Sequence, residues 1–241
     1  MSNNCQSPRD QDLIWDYFQN ESPGVFEGSR ARLRFLASKI KPLQVALNIG
    51  CGSGIFEDLA LARKIDIYSL DPSERSIGQL RETLHLGDKA RVGYIQQLPF
   101  PDSYFDVVVV SEVIEHLSPT VTKAGLEEVL RVLKPGGRIL GTVPSREDLR
   151  EQIVVCPCCG KRFHRWGHEQ SFDPEKMEGL LRNYFCAVRV GERPIVAWSI
   201  LDWKGKCFGM LKMLLWKLGI HVSTANLVFE GFKPPNARRA E

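Results

Sequence analysis

The sequence lacks any long apolar run and any strong excess of one charge. No stretch of roughly 18 consecutive apolar residues occurs, so we expect no transmembrane helix. The 32 basic residues against 29 acidic ones leave a formal net charge of +3, without the clustered bias of a dedicated nucleic-acid binder. Internal repeats and low-complexity tracts are also absent. The remaining composition is that of an ordinary globular protein, and 241 residues suffice for one sizeable domain.

The N-terminus also lacks the pattern of a signal peptide, since residues 1–12 are polar and charged. The seven cysteines are an odd number without an accompanying secretion signal. A disulfide framework is therefore not expected, whereas reduced thiols, some of them bound to metal, are. These observations together predict a cytoplasmic location.

Strand-type and helix-type segments alternate along the first two thirds of the chain. The strand-type segments are VALNI (45–49), DIYSLD (66–71), RVGYI (91–95), FDVVVV (105–110) and RILGTV (138–143). Helical patterns separate them, the last one stopping at residues 135–137. This alternation predicts an α/β fold whose parallel sheet carries helices on both faces.

The final third of the sequence follows a different pattern. A helix over 174–182 and two further strands, at 185–190 and 226–232, are predicted. Between the two strands, residues 201–219 form an apolar stripe with lysines. The favoured interpretation is a pair of core-packing helices. The alternatives are a cover over a lipid-like ligand or a helix resting on a membrane surface.

A glycine loop, Gly50-Cys51-Gly52-Ser53-Gly54, separates the first strand from a helix. Glycines at such a point let the backbone approach a ligand, and the helix N-terminus offers free N–H groups. The dinucleotide fingerprint requires a glycine where Ile55 stands, and the phosphate loop is absent, so NAD and ATP are disfavoured. Asp71 ends the second strand, where its carboxylate can accept two hydrogen bonds from ribose hydroxyls. A ribose-containing ligand is therefore predicted, with a tight turn that binds nothing as the alternative.

Four segments in the same order resemble the class I S-adenosylmethionine-dependent methyltransferases, in particular the small-molecule type. They are VALNIGCGSG, YSLDPS, LPFPDSYFDVVVVSEVIEHL and RVLKPGGRILGTVP, and together they cover roughly residues 30–145. The resemblance implies a Rossmann-like fold with a seven-stranded, mostly parallel sheet and a reversed last strand. It also implies S-adenosyl-L-methionine as cofactor. The residues implied to contact this cofactor are Asn48, Gly50, Cys51, Gly52, Gly54, Asp71, Pro72, Ile95, Gln96, Ser111 and Glu112.

Two positions depart from the family pattern. Asn48 stands where the family often has an acid, and Tyr94 stands where it often has an aspartate that contacts the adenine amino group. Tyr94 offers a ring for stacking in place of a carboxylate.

The resemblance implies methyl transfer from a sulfonium, which mainly requires alignment of the reacting atoms. A base is needed only if the acceptor must lose a proton. His116 is the candidate base because an unperturbed imidazole titrates near neutrality; packing or capping of the helix is the alternative. The Asn-Pro-Pro-Tyr and Asp-Pro-Pro-Tyr tetrapeptides of the family are absent, which favours an oxygen, carbon or simple amine acceptor.

The run CPCCGKRFHRWGH at 156–168 has the spacing of a metal site. Cys156, Cys159, His164 and His168 would form a closed Cys2His2 set, the type found in structural zinc sites. Cys158 is then a spare thiol that is able to exchange with Cys159. A thiol-rich turn whose histidines pair with carboxylates such as that of Glu169 is the alternative.

The basic and aromatic residues from 161 to 166 would lie on this zinc knuckle and favour an anionic or sugar-containing acceptor. We predict a methyltransferase acting on a small molecule or biosynthetic intermediate. An RNA methyltransferase that uses the basic knuckle and a non-catalytic binding module that retains the fold are the alternatives. No pattern indicates an oligomeric state.

The predicted organisation is a single domain over residues 1–241. It comprises an N-terminal helical cap (1–40), a cofactor-binding core (41–145), the Cys/His insertion (150–172) and C-terminal helices with the last two strands (173–235). Aromatic residues of the cap at 15, 17 and 18 would form a lid over the ligand or an amphipathic helix against the sheet.

Overall fold

A computed structural model describes residues 14–15, 17, 21, 28–196, 201–218 and 225–235. Much of the predicted N-terminal cap, including Phe18, lies outside these residues. Within them the chain forms one seven-stranded sheet and a separate two-stranded hairpin. None of the helices in these ranges is long and apolar enough to cross a membrane.

The seven-stranded sheet has the order β3-β2-β1-β4-β5-β9-β8. Strands β1 to β5 pair with one another in parallel, whereas β9 is antiparallel to both β5 and β8. The fold class, including the reversed strand, is thus confirmed. The strands are β1 (Val45–Ile49), β2 (Asp66–Asp71), β3 (Ala90–Val92), β4 (Phe105–Ser111), β5 (Leu133–Pro144), β6 (Ile153–Val155), β7 (Arg162–His164), β8 (Cys186–Pro194) and β9 (Ala225–Phe232).

Six α-helices with fully described bounds connect and cover these strands, and four of them begin at a side-chain cap. Ser73, Ser118, Asp173 and Asp202 each accept a hydrogen bond from a backbone N–H of the first helical turn, which satisfies a donor that the helix itself cannot. The helices are α1 (Ser29–Ser38), α2 (Ile55–Ala62), α3 (Glu74–Thr83), α4 (Pro119–Val132), α5 (Pro174–Arg182) and α6 (Trp203–Lys217).

Two hydrophobic clusters lie on the two faces of the sheet. Val108 and Val110 of β4 belong to one cluster, and Val107 and Val109 belong to the other. Successive side chains of a strand point to opposite faces, so the uninterrupted apolar run of β4 reflects burial on both sides. The sheet core is therefore the rigid platform on which the carboxyl ends of β1, β2 and β4 are held.

Strands β3 and β5 and the apolar stripe differ from the prediction. Strand β3 is shorter than predicted, and β5 begins at Leu133 rather than after the Pro-Gly-Gly turn, because residues 133–137 already pair with neighbouring strands or loops. The apolar stripe forms one helix, α6, in its described part. The core-packing interpretation fails there, since Trp203 is 70% and Phe208 is 67% exposed.

Candidate functional site

A cavity of about 520 Å³ opens at the carboxyl ends of β1, β2 and β4. Ligands of open α/β sheets bind at this edge. Of the eleven residues predicted to contact a cofactor, nine line the cavity, whereas Asn48 and Gly54 do not. The nine are Gly50, Cys51, Gly52, Asp71, Pro72, Ile95, Gln96, Ser111 and Glu112.

The glycine loop forms one wall of the cavity, and its shape depends on glycine. Gly50, Gly52 and Gly54 have φ angles of +81°, +52° and +79°, a left-handed region that other residues adopt with strain. A Cβ on Gly50 would lie 2.6 Å from Cγ2 of Val113, and one on Gly54 would lie 2.6 Å from Cδ2 of Leu80. Gly54 therefore serves the packing of the loop on the core rather than the cavity surface.

Asp71 fixes this loop to the end of β2. Its Oδ2 accepts hydrogen bonds from the backbone N–H groups of Cys51 (2.9 Å) and Gly52 (3.3 Å), and its Oδ1 accepts one from Ser73 (2.9 Å). The residue is only 2% exposed. Burial raises the pKa of the Asp71 carboxyl, while these backbone donors oppose the shift.

Asn48 lies beneath the loop, where it contacts Glu57 of α2. Its Nδ2 donates to Oε1 of Glu57 at 2.8 Å, and the Ser69 hydroxyl donates to the same oxygen at 2.8 Å. Burial raises the pKa of Glu57 to about 7. The placement of Asn48 in the cofactor set is corrected accordingly, because its side chain is engaged with the helix behind the loop. Glu57 was missed because nothing in its local sequence marks a buried acid.

Glu112 and Arg32 form the wall opposite the glycine loop. Arg32 donates from Nε to the Ser111 hydroxyl at 3.3 Å, and its Nη1 lies 3.9 Å from Oε2 of Glu112. The Thr142 hydroxyl donates to Oε1 of Glu112 at 2.9 Å. Arg32 was not predicted, since its contact with residues some 80 positions later follows only from the packing of α1 across the sheet edge.

His116 lines the cavity but does not have an ordinary imidazole environment. It is 8% exposed, its Nδ1 lies 3.2 Å from the carbonyl oxygen of Gly167, and the ring of Trp15 contacts it edge-on at a centroid distance of 4.5 Å. Burial and the neighbouring His168 lower the pKa of His116 to about 3. The premise of the predicted base, a side chain that titrates near neutrality, therefore does not hold in this structure.

The four predicted zinc ligands do not come together. Cys156 and Cys159 lie in the turn of the β6–β7 hairpin, where Cys156 N–H donates to the Lys161 carbonyl. His164 lies at the other end of the hairpin, opposite Ile153, roughly 10 Å further along at about 3.3 Å per residue. Ligands of one zinc ion lie about 2.0–2.3 Å from it, so the Cys2His2 assignment is corrected.

The two histidines instead face Glu147. His168 Nδ1 lies 2.5 Å from Oε2 of Glu147, and His164 Nε2 lies 3.6 Å from Oε1 of the same carboxylate. The two imidazole rings stack with centroids 4.6 Å apart. The alternative interpretation, in which the histidines pair with a carboxylate, thus agrees with the structure, although the carboxylate is Glu147 rather than Glu169.

Comparisons with known proteins place this geometry in context. Residues 47–141 match the family described as Methyltransferase domain. A probable S-adenosylmethionine-dependent methyltransferase of Mycolicibacterium smegmatis is 37% identical over 100 residues, which are 42% of this chain and 38% of that protein. A malonyl-[acyl-carrier protein] O-methyltransferase of Erwinia billingiae is 32% identical over 45% of this chain and 42% of its own length. The matches thus span about two fifths of these relatives.

A solved structure extends the likeness over nearly the whole chain. The 1,6-didemethyltoxoflavin-N1-methyltransferase of Burkholderia thailandensis, which contains S-adenosylhomocysteine, has a TM-score of 0.65 at 15% identity, covering 97% of this chain and 93% of its own. Residues 47–141 of this chain therefore resemble a methyltransferase domain, and the chain shares its overall fold with that solved structure.

Proposed function

We propose that the protein is an S-adenosylmethionine-dependent methyltransferase acting on an oxygen, carbon or simple amine of a small-molecule acceptor. The observation that carries this proposal is the buried carboxylate of Asp71 in the cavity wall, bound to the glycine loop beside it. Such a carboxylate at the end of the second strand suits the two hydroxyls of a ribose. The matched family and the relatives named above support the same donor.

The residues around the cavity fit this donor. We propose that Asp71 accepts from the ribose hydroxyls, that the backbone at Gly50 and Gly52 borders the donor closely, and that Ile95 and Tyr94 border the adenine. A Cβ on Gly52 would meet nothing within 4 Å, so this part of the loop leaves room on the cavity side. When bound, the donor supplies an activated methyl group, and the protein has to hold it in line with the acceptor.

Charged side chains at the other wall fit the methionine end of the donor. Glu112 is held by Thr142 and faces Arg32 at 3.9 Å, so the wall offers a carboxylate and a guanidinium together. We propose that the two bind the amino and carboxylate groups of the donor. Pro72, Gln96, Ser111 and Cys51 complete the proposed donor site.

The acceptor is proposed to enter beside Val113, Leu117, Val121 and His116, which also line the cavity. Three of these side chains are apolar, which favours an acceptor with an apolar body. By their names, one relative is a malonyl-[acyl-carrier protein] O-methyltransferase and one structural neighbour is a 1,6-didemethyltoxoflavin-N1-methyltransferase. Because burial keeps His116 neutral, we propose that the histidine positions the acceptor and does not act alone as a strong base.

Asp71→Ala tests the donor site directly. We expect about a tenfold to hundredfold weaker binding of S-adenosylhomocysteine, since hydrogen bonds to a charged group contribute about 1.5–3 kcal/mol. Isothermal titration calorimetry is the measurement. Asp66→Asn is the matched control, because Asp66 begins the same strand and pairs with Lys89 outside the cavity. Equal affinities of Asp71→Ala and the wild type would remove Asp71 from the site.

A further inference from the structure

Glu115 is a buried carboxyl group that accepts no hydrogen bond from the described part of the chain. The residue is 1% exposed, and neither of its carboxylate oxygens has a hydrogen-bond partner among the described residues. Leaving a buried carboxylate in this state costs several kcal/mol, and proteins compensate such groups with a proton, a partner or a metal ion. The Glu115 carboxyl therefore requires one of these three.

Two histidines face this carboxylate from different parts of the chain. Nε2 of His116 lies 3.9 Å from Oε1 of Glu115, and the rings of His116 and His168 meet with centroids 4.5 Å apart. One ligand atom from each of the three residues lies within 4.8 Å of the others. Ligand atoms about 2.1 Å from a shared ion lie up to roughly 4.2 Å apart. A small shortening of the distances between the three ligand atoms therefore lets them share one ion.

Hydrogen bonds to the two rings determine which ring nitrogen is free to bind a metal ion. His116 Nδ1 lies 3.2 Å from the Gly167 carbonyl oxygen, and His168 Nδ1 lies 2.5 Å from Glu147. Both acceptors require a proton on Nδ1, so Nε2 carries the lone pair in each neutral ring. A carbonyl or carboxylate behind the ring is the usual outer partner of a metal-binding histidine.

We infer that Glu115, His116 and His168 bind a divalent transition-metal ion in the wall of the cavity, with Glu147 as the outer partner of His168. Two imidazoles and one carboxylate form a set that binds zinc or ferrous iron. Three protein ligands leave coordination positions for water or for an oxygen of the acceptor. His116 lines the cavity, so the proposed site borders the acceptor side.

The second group that the structure assembles, Glu147 with His164 and His168, fits a metal less well. Nδ1 of His164 accepts from the backbone N–H groups of His168 (3.1 Å) and Trp166 (3.3 Å). The proton of the neutral ring must therefore sit on Nε2, the nitrogen that faces Glu147. His164 thus supports the loop that carries His168 and is not a ligand.

Metal binding is measured on the full chain, stripped with a chelator and titrated with Zn²⁺ and Co²⁺ in the absence of any methyl donor. We expect one ion per chain and a cobalt spectrum without a sulfur-to-metal charge-transfer band. Binding should fall at least a hundredfold in His116→Gln and His168→Gln, and about tenfold to a hundredfold in Glu147→Gln. His85→Asn, which removes an exposed histidine elsewhere, and Cys156→Ser with Cys159→Ser should bind as the wild type does.

The isosteric Glu115→Gln guards against loss of folding, because it keeps the volume of the side chain while removing the charge. Folding of each variant is checked by circular dichroism. A charge-transfer band, loss of the ion in the cysteine variants, retention in the histidine variants or no binding by the wild type would each overturn the inference. Binding of S-adenosylhomocysteine is measured separately, so failure of the metal site leaves the proposed donor site standing.

Discussion

At the scale of single residues, a buried carboxylate on α2 lies against the end of β1. Asn48 occupies the strand position, and Glu57 of α2 supplies a carboxylate that contacts its amide at 2.8 Å. Glu57 is fully buried, and burial raises its pKa to about 7. The loop at Gly50 to Gly54 therefore rests on a carboxyl group that changes charge near neutral pH.

This shift predicts a pH dependence of stability. The folded protein keeps a proton on Glu57 up to about pH 7, whereas the unfolded chain loses it near pH 4.5. The folded state then binds more protons in this window, so its stability falls as the pH rises from about 5 to 8. Glu57→Gln should remove about 2–3 kcal/mol of this loss, measured by urea unfolding at both pH values.

The comparison between variants isolates Glu57 from other groups that titrate in the same range. Glu82→Gln, an exposed glutamate on α3, is the matched control and should leave the pH profile unchanged. Parallel stability profiles of Glu57→Gln and the wild type would show that Glu57 does not titrate as described.

At the scale of elements, strands β4, β5 and β9 meet at a position that admits only glycine. Gly141 of β5 lies opposite Val110 on one side and Phe229 on the other. A Cβ there would overlap the Val110 carbonyl oxygen and the Phe229 ring, and the backbone oxygen has no room to withdraw.

Gly141→Ala should therefore destabilise the protein by about 1–3 kcal/mol, the usual cost of overpacking. Gly179→Ala provides the matched control, because Gly179 lies in α5 and its Cβ would meet nothing within 4 Å. The free energy of unfolding of the control should rise by about 0.5–1 kcal/mol, because alanine has a higher helix propensity than glycine. Chemical denaturation measures both, and a neutral Gly141→Ala would contradict the described packing of the three strands.

The sequence predicted strands well where every residue of the strand is buried. It predicted the positions of side chains poorly where these depend on how two strands pair. The run Val107–Val110 required a strand covered on both faces, and Asp71 was recognised at the end of its strand. The zinc assignment failed because spacing alone does not fix a hairpin register: β6 and β7 pair so that the cysteines and His164 fall at opposite ends. Glu147 was missed because its contact with His168 depends on the conformation of the loops that carry the two residues, which the sequence spacing does not reveal.

At the scale of the whole molecule, the sheet order brings the ends of β1, β2 and β4 to one edge and adds the loops after β4 and β5 beside them. Most of the proposed donor residues lie at or just beyond the ends of β1 to β4, and Glu115, Glu147 and His168 come from the later loops. Backbone N–H groups of Glu169 and Gln170 donate to the Glu115 carbonyl, which ties the two loops together. The cavity is thus a joint product of the matched domain and the segment that follows it.

Methyl transfer itself tests the account most directly. The protein is incubated with donor labelled in the methyl group and with separate small-molecule and RNA fractions of a cell extract. We predict label in the small-molecule fraction with the wild type and with Asp66→Asn, and a loss of label with Asp71→Ala. Transfer into RNA alone, no transfer into any fraction, or undiminished transfer by Asp71→Ala would contradict the account.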